Sequence, residues 1–268
     1  MSAPFASKVV VVTGASSGIG RALCLALAPE RPRLVLAARD EEQLRSVATA
    51  CAEKGAETLV VKTDVSVEAD CRNLVEKAVA RFGALDVLVN NAGIGMIARF
   101  DELQDLTVYE RLMRVNYLGS VYPTFHALPH LKKSRGLIVA VASLAGLTGV
   151  PTRTGYSASK HAVIGFFESL RVELLGSGVD VTIVAPDFVV SEIHRRAVGP
   201  AGEPLGTSPM QEGRIMTTER CAELILGAME RRQRLLVMSL RGKLGRFVRL
   251  FFPGLIDRIA LRAVERGR

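Results

Sequence analysis

The sequence predicts an α/β fold, a doubly wound parallel sheet of seven strands with helices on both faces. Three observations predict it. Short runs of β-branched and other apolar residues recur without the apolar-polar alternation of half-exposed strands, as expected where both faces of a sheet are covered. Amphipathic stretches separate these runs, and the repetition of strand, helix and strand implies right-handed crossovers between parallel neighbours. The first run leads straight into a glycine-rich turn and an apolar helix.

In chain order the strands are expected at Lys8 to Thr13, Arg33 to Ala38, Glu57 to Lys62, Leu85 to Val89, Leu137 to Ala142, Val179 to Ala185 and Leu235 to Met238. After the sixth, Val198 to Arg214 is rich in Gly and Pro and has no period. With its flanks, about 190–216, it is expected to form a mobile lid over an apolar pocket, with Phe188, Ile193, Leu205 and Met210 turned to a ligand. A static surface loop is the alternative. Beyond the seventh strand, Lys243 to Phe252 and Leu255 to Arg266 read as two short amphipathic helices broken at Pro253 and Gly254.

At 268 residues and 49% apolar composition the chain fills one large domain, without room for a second of full size. Cys24, Cys51, Cys71 and Cys221 have no paired spacing, and His126 and His130 form the one close histidine pair, so no disulfide framework or metal site is expected. Met1 to Ser7 is too short for a signal peptide, and no run reaches the roughly 20 apolar residues of a membrane span. A soluble or peripheral protein of the reducing cytoplasm is expected. The net charge of +8 is concentrated in residues 231–268, which carry +9 and leave the rest at −1. A basic tail on a nearly neutral body excludes a nucleic-acid-binding body.

The glycine turn reads Thr13-Gly14-Ala15-Ser16-Ser17-Gly18-Ile19-Gly20. Glycines at 14, 18 and 20 permit a tight turn, a close approach of backbone to a pyrophosphate, and close packing of helix on strand. The spacing is not that of G-x-G-x-x-G, and an ordinary strand-to-helix loop is the other reading. About 20 residues on, where an acid would hold the ribose of NAD, stands Ala38, followed by Arg39, which can fork onto the 2′-phosphate of NADP. Arg39 also reads as a solvated strand end, and Asp40 leaves a route from a carboxylate to the ribose. Tyr156 and Lys160 are four apart at the start of a predicted helix, hence on one face. An ammonium there would lower the phenol's pKa toward neutrality.

Taken in order, Thr-Gly-x-x-x-Gly-x-Gly at 13–20, Asn90-Asn91-Ala92-Gly93, Asn116, Ser143 and Tyr-x-x-x-Lys at 156–160 resemble the short-chain dehydrogenase/reductase family, from about Lys8 to Met238. The resemblance implies a Rossmann-type dinucleotide-binding and catalytic domain, residues 1–240, with 241–268 as a basic helical extension. It implies a catalytic set in which Tyr156 transfers the proton, Lys160 tunes Tyr156 and binds the nicotinamide ribose, Ser143 bonds the substrate oxygen, and Asn116 holds a water linked to Lys160. Cofactor contacts are implied for Gly14, Ser16, Ser17, Gly18, Ile19 and Gly20 at the turn and for Arg39. Asp64 and Val65 are implied near the adenine, Asn90 near the adjacent ribose, with Ala92 and Gly93, and Pro186, Val189 and Ser191 after the sixth strand. Asn-Asn-Ala-Gly reads equally as a brace of the central sheet. Asp187 replaces the family's usual Gly, which tolerates backbone conformations that Asp resists.

Ser143 to Gly146 and Tyr156 to Phe167 look most like the branch of the 11β-hydroxysteroid dehydrogenases. The implied activity is NADP(H)-dependent reduction of a hydrophobic ketone or aldehyde, or the reverse oxidation, by a homodimer or homotetramer. The alternatives are an NAD(H)-dependent alcohol dehydrogenase of the same family and a non-catalytic NADP-binding regulator or scaffold. In the tail, Leu244, Phe247, Val248 and Phe251 oppose Lys243, Arg246 and Arg249, and Ile256, Ile259, Ala260 and Ala263 oppose Arg258, Arg262 and Arg266. Contact with a membrane surface through 243–266 and packing on the body or on a partner subunit are both open.

Overall fold

A computed structural model describes residues 3–207, 213 and 215–265, without the side chains of 263–265; Met210, Arg214, Arg266 and the Ala263 side chain lie outside the described residues. Seven strands form one sheet: β1 Val9–Thr13, β2 Arg33–Ala38, β3 Glu57–Lys62, β4 Val87–Asn90, β5 Leu137–Val141, β6 Asp180–Ala185 and β7 Leu235–Val237. Their order is β3-β2-β1-β4-β5-β6-β7, with every pairing parallel. Val11 sits opposite Val35 on one side and Leu88 on the other. Each residue of β1, β4 and β5 is buried, which is why these strands lack alternation.

The helices are α1 Gly18–Leu27, α2 Glu41–Ala52, α3 Glu68–Phe82, α4 Thr107–Leu112, α5 Gly119–Ser134, α6 Thr154–Glu173, α7 Thr218–Glu230, α8 Leu240–Phe251 and α9 Pro253–Glu265. On one face Val10 and Val12 pack with Leu23, Leu44 and Ile225 of α1, α2 and α7. On the other, Val9 and Val11 pack with Leu74, Leu131 and Phe167 of α3, α5 and α6. Each fully buried side chain of that size contributes about 1.5–3 kcal/mol. Strand order reverses between β1 and β4, and the crevice at such a point is where a ligand fits.

The segment after β6 covers the crevice, but its first half is fastened to the body. Val198 bridges to Met96 and exchanges backbone bonds with Gly95 and Ile97, and the Gln104 amide donates to the Pro200 carbonyl, while the Val198–Pro204 and Val189–Met216 bridges tie the segment to itself. Phe188 and Ile193 face the cavity as expected. Leu205 does not: its side chain lies where a Cβ on Gly199 would be 3.0 Å away, off the cavity wall.

The two tail helices are present, with Pro253 opening α9 at its first position, where a missing N–H is harmless. Their orientation differs from the usual amphipathic arrangement. On α8 it is Gly242, Gly245 and Val248 that are partly covered, while Leu240, Leu244, Phe247, Leu250 and Phe251 are exposed. Polar anchors hold it this way round. Ser239 caps the helix by accepting from the Gly242 N–H and donates to Asp187 Oδ2 at 2.8 Å, Arg241 pairs with Asp187, and Arg249 donates to the Leu147 carbonyl at 2.6 Å.

Candidate active site

The carboxyl ends of the strands, the segment after β6 and the two tail helices enclose a cavity of about 870 Å³. At its β1 end Gly14 and Gly18 adopt φ of 67° and 54°, which only glycine takes without strain. A Cβ on Gly20 would stand 2.3 Å from the Gly14 carbonyl oxygen and 2.5 Å from Asn91 Nδ2, so this glycine sets how closely α1 approaches β1. Ser17 precedes α1 in an extended conformation and makes no side-chain cap, leaving the first amides of the helix without a side-chain acceptor. Such a terminus is suited to an anion.

Within Asn90-Asn91-Ala92-Gly93 the bracing residue is Asn91, whose Nδ2 donates to the carbonyls of Thr13 at 2.9 Å and Gly14 at 3.3 Å. Thr13 Oγ1 accepts from the Asn91 and Ala92 amides. Ala92 and Gly93 lie on the cavity wall. The Asn90 side chain is buried and donates through Nδ2 to Thr124 Oγ1 at 2.9 Å.

Ser16, Ser17, Ile19, Ala38, Arg39, Asp64 and Val65 line the cavity. The Asp40 carboxylate is committed to capping α2, accepting from the Gln43 amide at 3.0 Å and from Gln43 Nε2 at 2.8 Å. Arg39 is exposed beside it. Beyond β6, Pro186, Val189 and Ser191 also line the wall, and a Cβ on Gly18 would stand 3.5 Å from Ser191 Cβ. Asp187 has no positive φ, so a glycine is not required there. Its carboxylate instead anchors α8 through Ser239 and Arg241.

Ser143, Tyr156 and Lys160 converge on the cavity from β5 and α6. Ser143 caps a short 3₁₀ turn, Leu144–Gly146, accepting from the Ala145 amide at 3.2 Å. Tyr156 and Lys160 are both buried, and Lys160 Nζ donates to the Val141 carbonyl at 2.9 Å, 5.8 Å from the Tyr156 ring centre. Burial drives the Lys160 ammonium from 10.5 down to about 8. It drives the Tyr156 phenol above its ordinary 10, against the Ser143 hydrogen bond and the Arg153 charge, which pull it down. The spacing predicts a phenol lowered by Lys160; in the structure desolvation wins, and the cation acting on the phenol is Arg153.

Asn116 lies in a π-helical turn, Met113–Leu118, between α4 and α5, and is fully buried. Its Oδ1 accepts from the Ile94 amide at 2.8 Å, and Nδ2 donates to the Ile94 carbonyl at 3.0 Å and to Ser159 Oγ at 2.9 Å. The side chain thus clamps the segment after β4. It is still close to the chemistry: a Cβ on Gly93 would be 3.1 Å from Asn116 Oδ1 and 3.6 Å from Lys160 Nζ.

Sequence reasoning missed Arg153, at the start of α6 three residues before Tyr156. It lines the cavity, is 8% exposed, and has its guanidinium 5.3 Å from the centre of the Phe188 ring. A cation one turn ahead of the Tyr-x-x-x-Lys pair was the available signal.

A family model described as short chain dehydrogenase matches residues 8–199. A curated relative from Pinus massoniana named 11-beta-hydroxysteroid dehydrogenase is 38% identical over 257 residues, covering 93% of this chain and 72% of its own length. One from Sesamum indicum named 11-beta-hydroxysteroid dehydrogenase A is 43% identical over 214 residues, 80% of this chain. This chain spans 61% of that relative's length. A short chain dehydrogenase/reductase from Burkholderia phymatum, solved in complex with NAD, is similar at a TM-score of 0.83 and 29% identity, over 94% of this chain and 95% of that one.

Proposed function

The chain belongs to the short-chain dehydrogenase/reductase family, and from that premise we propose an NADPH-dependent reductase of hydrophobic ketones or aldehydes, also able to oxidise the alcohols, with Tyr156 as the proton-transfer group. Its class is that of a nicotinamide-dependent oxidoreductase acting on CH–OH and C=O groups. One observation carries the finer reading: a single cavity joins the glycine turn of β1 to Ser143, Tyr156 and Lys160. A screen of ketones and alcohols with both cofactors, followed by nicotinamide absorbance, tests it. Turnover of no carbonyl or alcohol with either cofactor would contradict it.

The residues fit a dinucleotide. The uncapped amides of α1 would hold the pyrophosphate, the glycines at 14 and 18 would admit it closely, and Gly93 leaves space beside Lys160 that a side chain would fill. When bound, the nicotinamide supplies or takes the hydride. Ser143 donates to the substrate oxygen as negative charge develops there. Tyr156 gives that oxygen its proton in reduction and removes it in oxidation. Lys160, held by the Val141 carbonyl, would hydrogen-bond the nicotinamide ribose, and Asn116 fixes the backbone at Ile94 on the neighbouring wall.

The preference for NADPH rests on Arg39, exposed at the cavity wall, and on an Asp40 carboxylate occupied by the α2 cap. Ala38→Asp is expected to move the kcat/KM ratio of NADPH over NADH toward NADH by about tenfold or more, the worth of one charge-assisted hydrogen bond. Wild-type efficiency equal or higher with NADH counts against this assignment.

We further propose that α8 and α9 rest on an anionic membrane surface, which would deliver lipophilic substrate to the cavity that Gly245, Ile256 and Ala260 help to line. The outward apolar side of α8, flanked by Lys243 and Arg246, supports this. The protein should sediment with anionic vesicles at low salt, less at high salt, and not after joint Phe247→Asp and Phe251→Asp substitution. Wild-type protein left in the supernatant would shift the account to a partner subunit of a homodimer or homotetramer covering this face.

A further inference from the structure

We infer that Arg153 anchors an anion subsite beside Tyr156 and that the substrate carries a carboxylate near its reacting carbonyl. The inference rests on the carbonyl-reductase reading and narrows its substrate class from apolar carbonyl compounds to oxo acids with an apolar remainder.

Arg153 is held by its backbone at the start of α6: its amide donates to the Val150 carbonyl, and its own carbonyl accepts from the Ser157 amide at 2.7 Å. The side chain turns inward, where it is 8% exposed and stacks on Phe188. Its Nη2 is buried with no hydrogen-bond partner, and among the described residues no carboxylate pairs with the guanidinium. The acids on the same cavity wall are engaged elsewhere. Asp40 caps α2, Asp64 accepts from Ser66, Asp187 takes Ser239 and Arg241, and Glu192 lies 3.7 Å from Arg195.

A guanidinium stays protonated when buried, so the fold carries a desolvated cation whose counter-ion is not supplied by the described chain. An aromatic face offsets only part of that penalty. What completes the site is an anion entering the cavity, and a planar fork of N–H donors matches a carboxylate in two bonds. The dinucleotide is the other anionic candidate, but its phosphates belong to the turn after β1 and to Arg39 after β2. Arg153 lies beyond β5 with Tyr156, facing Phe188 beyond β6, on the other side of the point where strand order reverses. Arg153 and Tyr156 stand three residues apart at the start of α6 and line the same cavity, so a carboxylate on the guanidinium would lie near the oxygen that receives the proton.

Calorimetric titration of the full chain saturated with NADPH tests the subsite without requiring turnover, using decanoate against decanamide as probes. Wild type is expected to bind the acid at least about tenfold tighter than the amide, one charge-assisted pair. Arg153→Met should remove that difference, Arg153→Lys should keep part of it, and NADPH affinity should be the same in all three. In turnover of an oxo acid and its methyl ester, the loss caused by Arg153→Met should be at least tenfold greater on the acid. Equal binding of acid and amide by wild type overturns the proposal, whether or not the methionine variant folds. So does weakened NADPH binding in Arg153→Met, or an equal loss on acid and ester, which would leave Arg153 no role beyond its charge on Tyr156. Acid-selective binding with no turnover of any carbonyl would retain the subsite and reject the reductase reading.

Discussion

Tyr156→Phe is expected to lower kcat by about 10³-fold while changing NADPH affinity by no more than about twofold. The substitution deletes one hydroxyl and keeps the ring that is buried among Met96, Leu112 and Ala145. The phenol is held above its ordinary value mainly by burial, so the protonated form dominates at neutral pH and a reductase has its proton in place. Steady-state kinetics with a separate fluorescence titration of NADPH separate the two effects. Turnover near wild type in the phenylalanine variant would move the proton donor elsewhere.

Lys160→Met is expected to remove most turnover and at the same time stabilise the cofactor-free protein. Lys160 is 4% exposed, and its ammonium has the Val141 carbonyl as its hydrogen-bond acceptor. The fall from 10.5 to about 8 comes from desolvation. The folded chain therefore binds this proton less tightly than the unfolded chain does, and stability rises with pH between about 8 and 10.5. Below pH 8 the full penalty applies, worth about 3 kcal/mol. Methionine removes the charge and loses one hydrogen bond of about 1 kcal/mol, for a net gain of about 2 kcal/mol at pH 7 that shrinks toward pH 10. Urea unfolding at both pH values measures it. A methionine variant less stable than wild type at pH 7 would show that the buried charge is compensated.

The fold was legible because its signal is redundant. Continuous apolar runs such as Val9 to Val12 and Leu137 to Val141 mark strands buried on two faces, and the glycines at 14, 18 and 20 mark a turn where helix and strand backbone approach closely. The Tyr156 and Lys160 pair was legible from helical periodicity. What sequence order does not carry is the direction in which a side chain is spent. Asn90 and Asn116 have the expected identity and position, and only the structure shows where their side chains go: Asn90 Nδ2 to Thr124, and both ends of the Asn116 amide to Ile94 and Ser159. Asp187 reads as a defect in a glycine position, and only the packed structure shows it pinning Ser239 and Arg241. The same anchors turn the apolar side of α8 outward, against the usual expectation that an amphipathic helix buries that side. Arg153 escaped notice because a lone arginine in a loop is ordinarily solvated, and its burial against Phe188 depends on contacts far apart in the chain.

Hydride transfer to a carbonyl carbon is the central claim, and deuterium transfer tests it most directly. The protein is incubated with NADPH carrying deuterium at the reactive ring carbon and a panel of apolar ketones, aldehydes and oxo acids, and the products are read by mass spectrometry. The account predicts an alcohol with one deuterium on the former carbonyl carbon, formed by wild type and not by Tyr156→Phe. NADPH that binds but passes no deuterium to any member of the panel would contradict it.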